Sequence, residues 1–292
     1  MPSAPTGGDV NLRGDYSAAA ADYSVEQDWS KYTGEQHSLW SRLLERQLSL
    51  VKRYGAPQFL AGLGALGLGS TIPRFDAASR VLKRATGWEI VAVPGLIPEQ
   101  HFFGHLAERR FPVTVWLRDP GEMDYLVEPD VFHDFFGHVP LLADPVFADF
   151  VQAYGVAGRK ADSEGGVRLL ARLYWYSVEF GLIRSDAGLR TYGAGILSSA
   201  GETVYAIDSP VPNRLRFDLE RVMRTDYLID AYQKTYFVVD SFDQLFRDSY
   251  DRDFLPIYRA FRDVPAYPPD AILATDEVVS RGQPGAAPGA GR

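Results

Sequence analysis

The sequence contains no cysteine. That absence excludes disulfides, thiolate nucleophiles, iron–sulfur clusters and cysteine-based zinc fingers together. Any protein-built metal site must therefore use His, Asp, Glu or backbone oxygen, and only five histidines are available. Basic residues are in the minority: 30 Lys and Arg face 38 Asp and Glu, for a net charge of −8. A general nucleic-acid binder needs a basic stripe to neutralise phosphates, so nucleic acid is not an expected partner. Long hydrophobic runs are missing too. The longest, Phe59 to Leu68, is broken by Gly62, Gly64 and Gly67, whereas a bilayer-spanning helix needs ~20 apolar residues. The start, Met1-Pro2-Ser3-Ala4, shows neither the basic nor the apolar part of a signal peptide. A cytoplasmic protein with no membrane partner is expected.

What is present is apolar and aromatic material: 46% hydrophobic and 13% aromatic over 292 residues. That is enough for one large catalytic-type domain with a sizeable core. Residues 1–24, rich in Gly, Ala, Ser and Pro, read as a mobile N-terminal arm. Residues 276–292 read as a disordered tail, leaving a single domain at 25–275. Its body reads as mainly α with small β elements. Trp40, Leu43, Leu44, Leu48 and Val51 make an apolar stripe at helical spacing, closed by Gly55 and Pro57. Further helices are expected near 73–84, 98–110, 144–154, 166–184, 215–227 and 240–262. Strands are expected at 88–93, 112–118, 203–207 and 233–239, from their β-branched and aromatic residues.

The histidines differ in promise. His37 reads as a surface or boundary residue, and His101 and His105, four apart, as a partly exposed helix face. His133 and His138 sit among Val131, Phe132, Phe135, Phe136 and Val139. Residues five apart on an ideal helix lie ~140° from each other. Gly137 and Pro140 imply that the helix ends there, so that His138 can turn back toward the centre His133 faces. Two histidines in an apolar setting are either hydrogen-bonded core residues or ligands. Glu179 tips the balance, because Trp175, Tyr176, Leu182 and Ile183 around it offer no cation. A buried carboxylate needs a partner or a metal. Two His and one carboxylate make the facial triad of a non-haem iron oxygenase.

Three longer motifs then stand out: Pro-Asp-x-x-His-Asp-x-x-Gly-His-Val-Pro at 129–140, Tyr-Trp-Tyr-Ser-Val-Glu-Phe-Gly-Leu at 174–182, and Tyr-Gly-Ala-Gly-Ile-Leu-Ser-Ser at 192–199. With them, residues 88–262 resemble the catalytic domain of the pterin-dependent aromatic amino acid hydroxylases, and the length resembles the bacterial phenylalanine-hydroxylating members. The resemblance implies a single hydroxylase-type domain that converts L-phenylalanine to L-tyrosine with O2. It implies Fe(II) held by His133, His138 and Glu179, and tetrahydrobiopterin or a related tetrahydropterin as cofactor. It makes Arg118 the holder of the substrate carboxylate and Asp130 its orienting partner, with Pro129, Trp175, Gly195 and Ser198 lining the amino acid pocket. Gly95, Leu96, Ile97, Phe102, Tyr174 and Asp134 would meet the pterin, Asp134 standing where many animal members have Glu. By pattern alone, Arg118 would be a solvent-facing charge and Phe102 and Tyr174 ordinary core aromatics. Val238 stands where tyrosine-preferring relatives place an acidic residue, which favours phenylalanine. A monomer is expected, since neither a regulatory domain nor a tetramerisation helix has room. The rival readings are a tryptophan hydroxylase of the same family, a zinc-dependent hydrolase on the same triad, and a non-catalytic binder of amino acid or pterin.

Overall fold

The first helix shows how local sequence sets the frame. Thr33 caps α1 (Gly34–Tyr54) by accepting from the Gln36 amide at 3.2 Å, while the Gln36 side chain accepts from the Thr33 amide at 2.9 Å. The Trp40, Leu43, Leu44 and Val51 stripe is buried, and Gly55 ends the helix. The broken apolar run becomes α2 (Pro57–Leu66), stopped by Gly67 at φ 61°. A computed structural model supplies the coordinates, which describe residues 12–124, 126–249 and 252–283.

The remaining order is α3 (Phe75–Ala85), β1 (Glu89–Val93), α4 (Glu99–Ala107), β2 (Arg110–Thr114), α5 (Pro145–Ala161), α6 (Val167–Tyr174), β3 (Leu182–Ser185) and β4 (Gly188–Thr191). It continues with α7 (Ala194–Leu197), α8 (Ala200–Asp208), β5 (Asn213–Arg216), α9 (Leu219–Met223), β6 (Thr235–Val239), α10 (Phe242–Ser249), α11 (Leu255–Phe261) and β7 (Val278–Ser280). Two short π-helical segments, Phe132–His138 and Trp175–Glu179, interrupt the α pattern. Helices dominate, as expected. Strands β1 and β2 form a parallel pair, and the others form a sheet ordered β4-β3-β6-β5-β7. Strand β6, buried along its whole length, runs parallel to both β3 and β5.

Several expectations need correction. Residues 203–207, read as a strand, lie in α8, whose start is set by Ser199 accepting the Glu202 amide at 3.3 Å. The cap outweighed the β propensity of Thr203 and Val204. The helix expected over 166–184 gives way to β3, that over 215–227 begins with the last two residues of β5, and that over 240–262 is split into α10 and α11. Strand β2 begins and ends earlier than the 112–118 expectation.

The expected domain limits also move. Residues 12–24 lie against the body: Tyr16 donates to the Leu96 carbonyl at 2.8 Å and Arg13 pairs with Asp119 and Glu122 at 2.7 Å. Residues 1–11 of the expected arm fall outside the described residues. At the other end, β7 pairs with β5, so regular structure continues past 275, while 284–292 fall outside the described residues. Arg214 on β5 helps to hold this end. It donates to the Ala206 and Ser209 carbonyls at 2.8 Å, closing α8, and to Ser280 Oγ at 3.2 Å. Among the described residues no helix is long and apolar enough to cross a membrane.

Candidate active site

Both π-helical segments carry expected metal ligands. The wider π turn bonds residues five apart, so it stacks His133 above His138 on one face. This corrects the expectation that the helix must end before His138 can turn back. In the second segment the Phe180 amide donates to the Trp175 carbonyl at 2.8 Å, again five residues apart, and Glu179 projects from its end. Gly137 lets the first segment approach α7: a Cβ there would lie 2.9 Å from the Ala194 carbonyl oxygen. Nε2 of His138 and Nε2 of His133 are 3.4 Å apart. Glu179 brings one oxygen to 3.3 Å from His138 Nε2 and the other to 3.6 Å from His133 Nε2.

This donor set fits a divalent cation, and the tautomer of His133 supports the fit. Ser198 donates its hydroxyl hydrogen to the Ala194 carbonyl at 2.8 Å. Toward His133 Nδ1, also 2.8 Å away, that hydroxyl acts as acceptor, so Nδ1 carries the proton and Nε2 keeps a bare lone pair. Burial holds the His133 imidazole down at about 4, so the ring is neutral near pH 7. Burial pushes the Glu179 carboxyl up, but the facing His138 and His133 imidazoles more than reverse this and hold it at about 2. Arg172, seven residues before Glu179, pairs with Asp226 at 2.6 Å and not with Glu179.

Asp134 also brings a ligand atom within 4.8 Å of those of His133 and His138. Its situation differs from that of Glu179. Its Oδ2 accepts from the Thr114 amide of β2 at 2.8 Å, and burial raises its carboxyl to about 7. Glu179 is therefore the anionic member of the cluster.

The cluster opens into a cavity of ≈ 260 Å³. Every expected site residue lines it except Asp130, which sits fully buried behind Arg118. Asp130 takes Arg118 Nε and Nη2 in a two-pronged pair at 2.8 Å, and also accepts the amides of Arg118 and His133 at 2.9 Å. Arg118 is thus aimed by a fixed carboxylate, with Nη1 left for a ligand. It is the only Lys or Arg lining the cavity among the described residues. Gly95, Leu96 and Ile97 form a loop just after β1, facing Phe102 and Tyr174, whose rings meet edge to face at 5.6 Å. The Tyr174 hydroxyl is buried without a partner among the described residues.

The other histidines and Val238 lie away from the site. His105 is buried, not partly exposed, and bonds through Nε2 to the Asp22 carbonyl at 2.8 Å. His101 packs on Tyr23 at 4.9 Å, and His37 lies beside Trp29 and takes the Ile72 amide at 3.2 Å. Val238 faces a small cluster with Leu182, Ile196, Ala206 and Tyr236 and does not line the cavity. Conversely, Glu202 lines the cavity and was missed. The spacing Ser199-x-x-Glu202 carries a helix-start signal, and that signal conceals the pocket-facing carboxylate.

The comparisons with known proteins agree with this geometry. Residues 11–259 match the sequence model of the biopterin-dependent aromatic amino acid hydroxylase family. The chain is 53% identical over 262 residues to phenylalanine-4-hydroxylase of Ralstonia nicotianae, covering 89% of this chain and 83% of that protein. It is 50% identical over 283 residues to the Chromobacterium violaceum phenylalanine-4-hydroxylase, covering 97% and 94%. A crystal structure of phenylalanine hydroxylase from C. violaceum, with bound iron(III) and oxidised 7,8-dihydrobiopterin, superposes with a TM-score of 0.88 at 50% identity, covering 94% of this chain and all of that one. A second, with iron and phenylalanine bound, gives 0.85 at 50% identity, covering 92% and 97%. By the match along its length and its identity to these relatives, this chain belongs to the biopterin-dependent aromatic amino acid hydroxylase family.

Proposed function

We propose that the chain is a phenylalanine 4-monooxygenase, converting L-phenylalanine to L-tyrosine with O2 and a reduced pterin, as the first step of phenylalanine breakdown. The carrying observation is the convergence of His133 Nε2, His138 Nε2 and the Glu179 carboxylate within 3.3–3.6 Å at the floor of one cavity. With Fe(II) bound there, metal and tetrahydropterin together supply the activation of O2 that ring hydroxylation requires.

The protein's part is placement and exclusion of water. Arg118, held by Asp130, takes the substrate carboxylate through its outward nitrogen. Pro129 and Trp175 confine the ring, while Gly195 and Ser198 close the pocket behind the iron ligands. Ser198 has a second task, fixing the proton of His133 on Nδ1. The Gly95–Ile97 loop with Phe102, Tyr174 and Asp134 receives the pterin. The Tyr174 hydroxyl, without a partner among the described residues, supports a polar ligand on that side. We further propose a cytoplasmic monomer acting on a small molecule without nucleic acid.

The relatives' names favour phenylalanine over tryptophan as substrate. A zinc hydrolase would need a free second carboxylate beside the metal, and Asp134 is tied to the Thr114 amide. The test is direct: purified protein with ferrous iron or zinc, a tetrahydropterin and each aromatic amino acid, with O2 uptake and products followed by chromatography. Tyrosine formed from phenylalanine with iron and not with zinc is expected. O2-independent activity with zinc would overturn the reading.

A further inference from the structure

Trp175 is the broadest side chain of the amino acid pocket, and its indole N–H donates to Gln233 Oε1 at 3.0 Å. Gln233 is almost completely buried, 1% exposed, yet does not line the cavity. Its hydrogen bonds run in several directions. Oε1 also accepts from the Leu228 amide at 3.3 Å, and Nε2 donates to the carbonyls of Leu228 at 2.7 Å and Ala231 at 3.3 Å. Its backbone N–H donates to Glu202 Oε1 at 3.2 Å, the same oxygen that takes the Tyr236 hydroxyl at 2.6 Å. Three surfaces meet at this one residue: its side-chain amide joins the Trp175 indole to the 228–231 turn on the cavity rim, and its backbone N–H reaches the Glu202 carboxyl on the wall. The indole is fixed in two other ways, by stacking on Tyr227 at 4.2 Å and by packing on Phe180 at 4.7 Å. Stacking sets the plane of the ring but leaves it free to slide or turn within that plane. The Gln233 carbonyl removes that freedom.

We infer that the Gln233 side chain is a positioning residue for the aromatic substrate, setting the in-plane orientation of Trp175. This rests on the proposed reaction, because it assumes that Trp175 meets the substrate ring. The effect belongs to amino acid binding and not to the pterin side, since none of the bonds of Gln233 reaches the Gly95–Ile97 loop, Phe102 or Tyr174.

The test compares four variants of the full chain: Gln233→Leu, Gln233→Glu, Trp175→Phe, and the double variant Trp175→Phe with Gln233→Leu. Losing one buried hydrogen bond to the indole should raise the KM and the calorimetric Kd for L-phenylalanine about tenfold in Gln233→Leu. The pterin KM should stay within about twofold, because orientation is lost on one side of the cavity only. Gln233→Glu keeps an accepting oxygen but, when ionised, turns the Nε2 donor into an acceptor facing the Leu228 and Ala231 carbonyls, so affinity should return toward wild type only at a pH low enough to protonate it. In the Trp175→Phe background, which has no indole N–H, Gln233→Leu should add much less than it does in wild type, because the indole contact is already gone. If Gln233→Leu fails to fold, Gln233→Asn withdraws the carbonyl by one methylene while keeping the amide, and the same split between substrates is expected. Equal rises in both KM values, or additive effects in the double variant, would overturn the inference. Wild-type protein that binds L-phenylalanine in the calorimeter but forms no tyrosine would instead sink the proposed reaction, leaving the Kd series to judge Gln233.

Discussion

The two walls of the cavity are built on different principles. On the side proposed for the amino acid, positions are set by buried side-chain hydrogen bonds: Asp130 aims Arg118, and Gln233 aims Trp175. On the side proposed for the pterin, the Gly95–Ile97 loop is shaped by backbone and packing. The Tyr16 hydroxyl donates to the Leu96 carbonyl, and a side chain at Gly14 would collide with the Pro94 carbonyl at 2.0 Å. The contrast matches the two ligands. A zwitterion needs charges at fixed points, where directional bonds discriminate, whereas a flat bicyclic ring is selected by a slot of matching width. Damage to the first wall should therefore be large and specific, and damage to the second small and graded.

The largest effect is expected where the walls meet. Glu179→Gln keeps the shape and removes the anionic oxygen. Losing an outer partner of a metal ligand costs about 10–100-fold, so losing a ligand's charge should reduce iron binding and turnover by more than that. Metal analysis of the purified variant checks it, and full iron content would remove Glu179 from the site. Arg118→Lys comes next. Lysine keeps the charge but loses the fork that grips Asp130, a carboxylate with 0% exposure. Phenylalanine affinity should fall by an order of magnitude or more, from a contact worth roughly 1.5–3 kcal/mol. An unchanged substrate dependence would contradict the two-wall contrast.

A third test uses pH on the amino acid wall. Burial raises the Glu202 carboxyl to about 7 from an ordinary 4.5. Between those values the folded protein holds a proton that the unfolded chain has released. This contribution to stability is therefore fully present below pH 4.5 and is lost as pH rises through 7. Glu202→Gln removes the titration and keeps an oxygen for Gln233 and Tyr236. Its melting temperature should fall less than that of wild type across this window, and parallel curves would refute the assignment. The smallest effect is expected on the pterin wall. Tyr16→Phe deletes one partly buried hydrogen bond, worth about 0.5 kcal/mol, so the pterin KM should rise only about twofold with phenylalanine binding intact. A larger effect on phenylalanine would erase the distinction between the walls.

The sequence revealed these regions unequally. Glu179 was legible because an apolar helix face offered it no cation, and the burial of Trp40 and Leu43 followed from spacing. The short strands were not legible: Leu182–Ser185 continues the apolar run of the preceding helix, so neither composition nor period marks the change. Residues 12–24 looked too polar and small to order themselves, yet single contacts such as those of Arg13 and Tyr16 lay them on the body. Gln233 carries no motif signal, and the one at Glu202 marks a helix start and says nothing of the pocket. Their importance lies in partners distant along the chain, Trp175 and Tyr236, which only the fold brings together.

The π-helical segments have a consequence for how this site can fail. An α-helix with one extra residue accommodates it as a single wide turn. Deleting one residue between His133 and His138 would let Phe132–His138 relax into ordinary α-helix, with better backbone hydrogen bonding than before. The two histidines would then stand four apart, ~40° from each other and still on one face. The failure to fear is the opposite one: the full segment tightening into α-helix with no residue lost, which would turn the imidazoles ~140° apart. At this spacing the wide turn itself is what keeps them together.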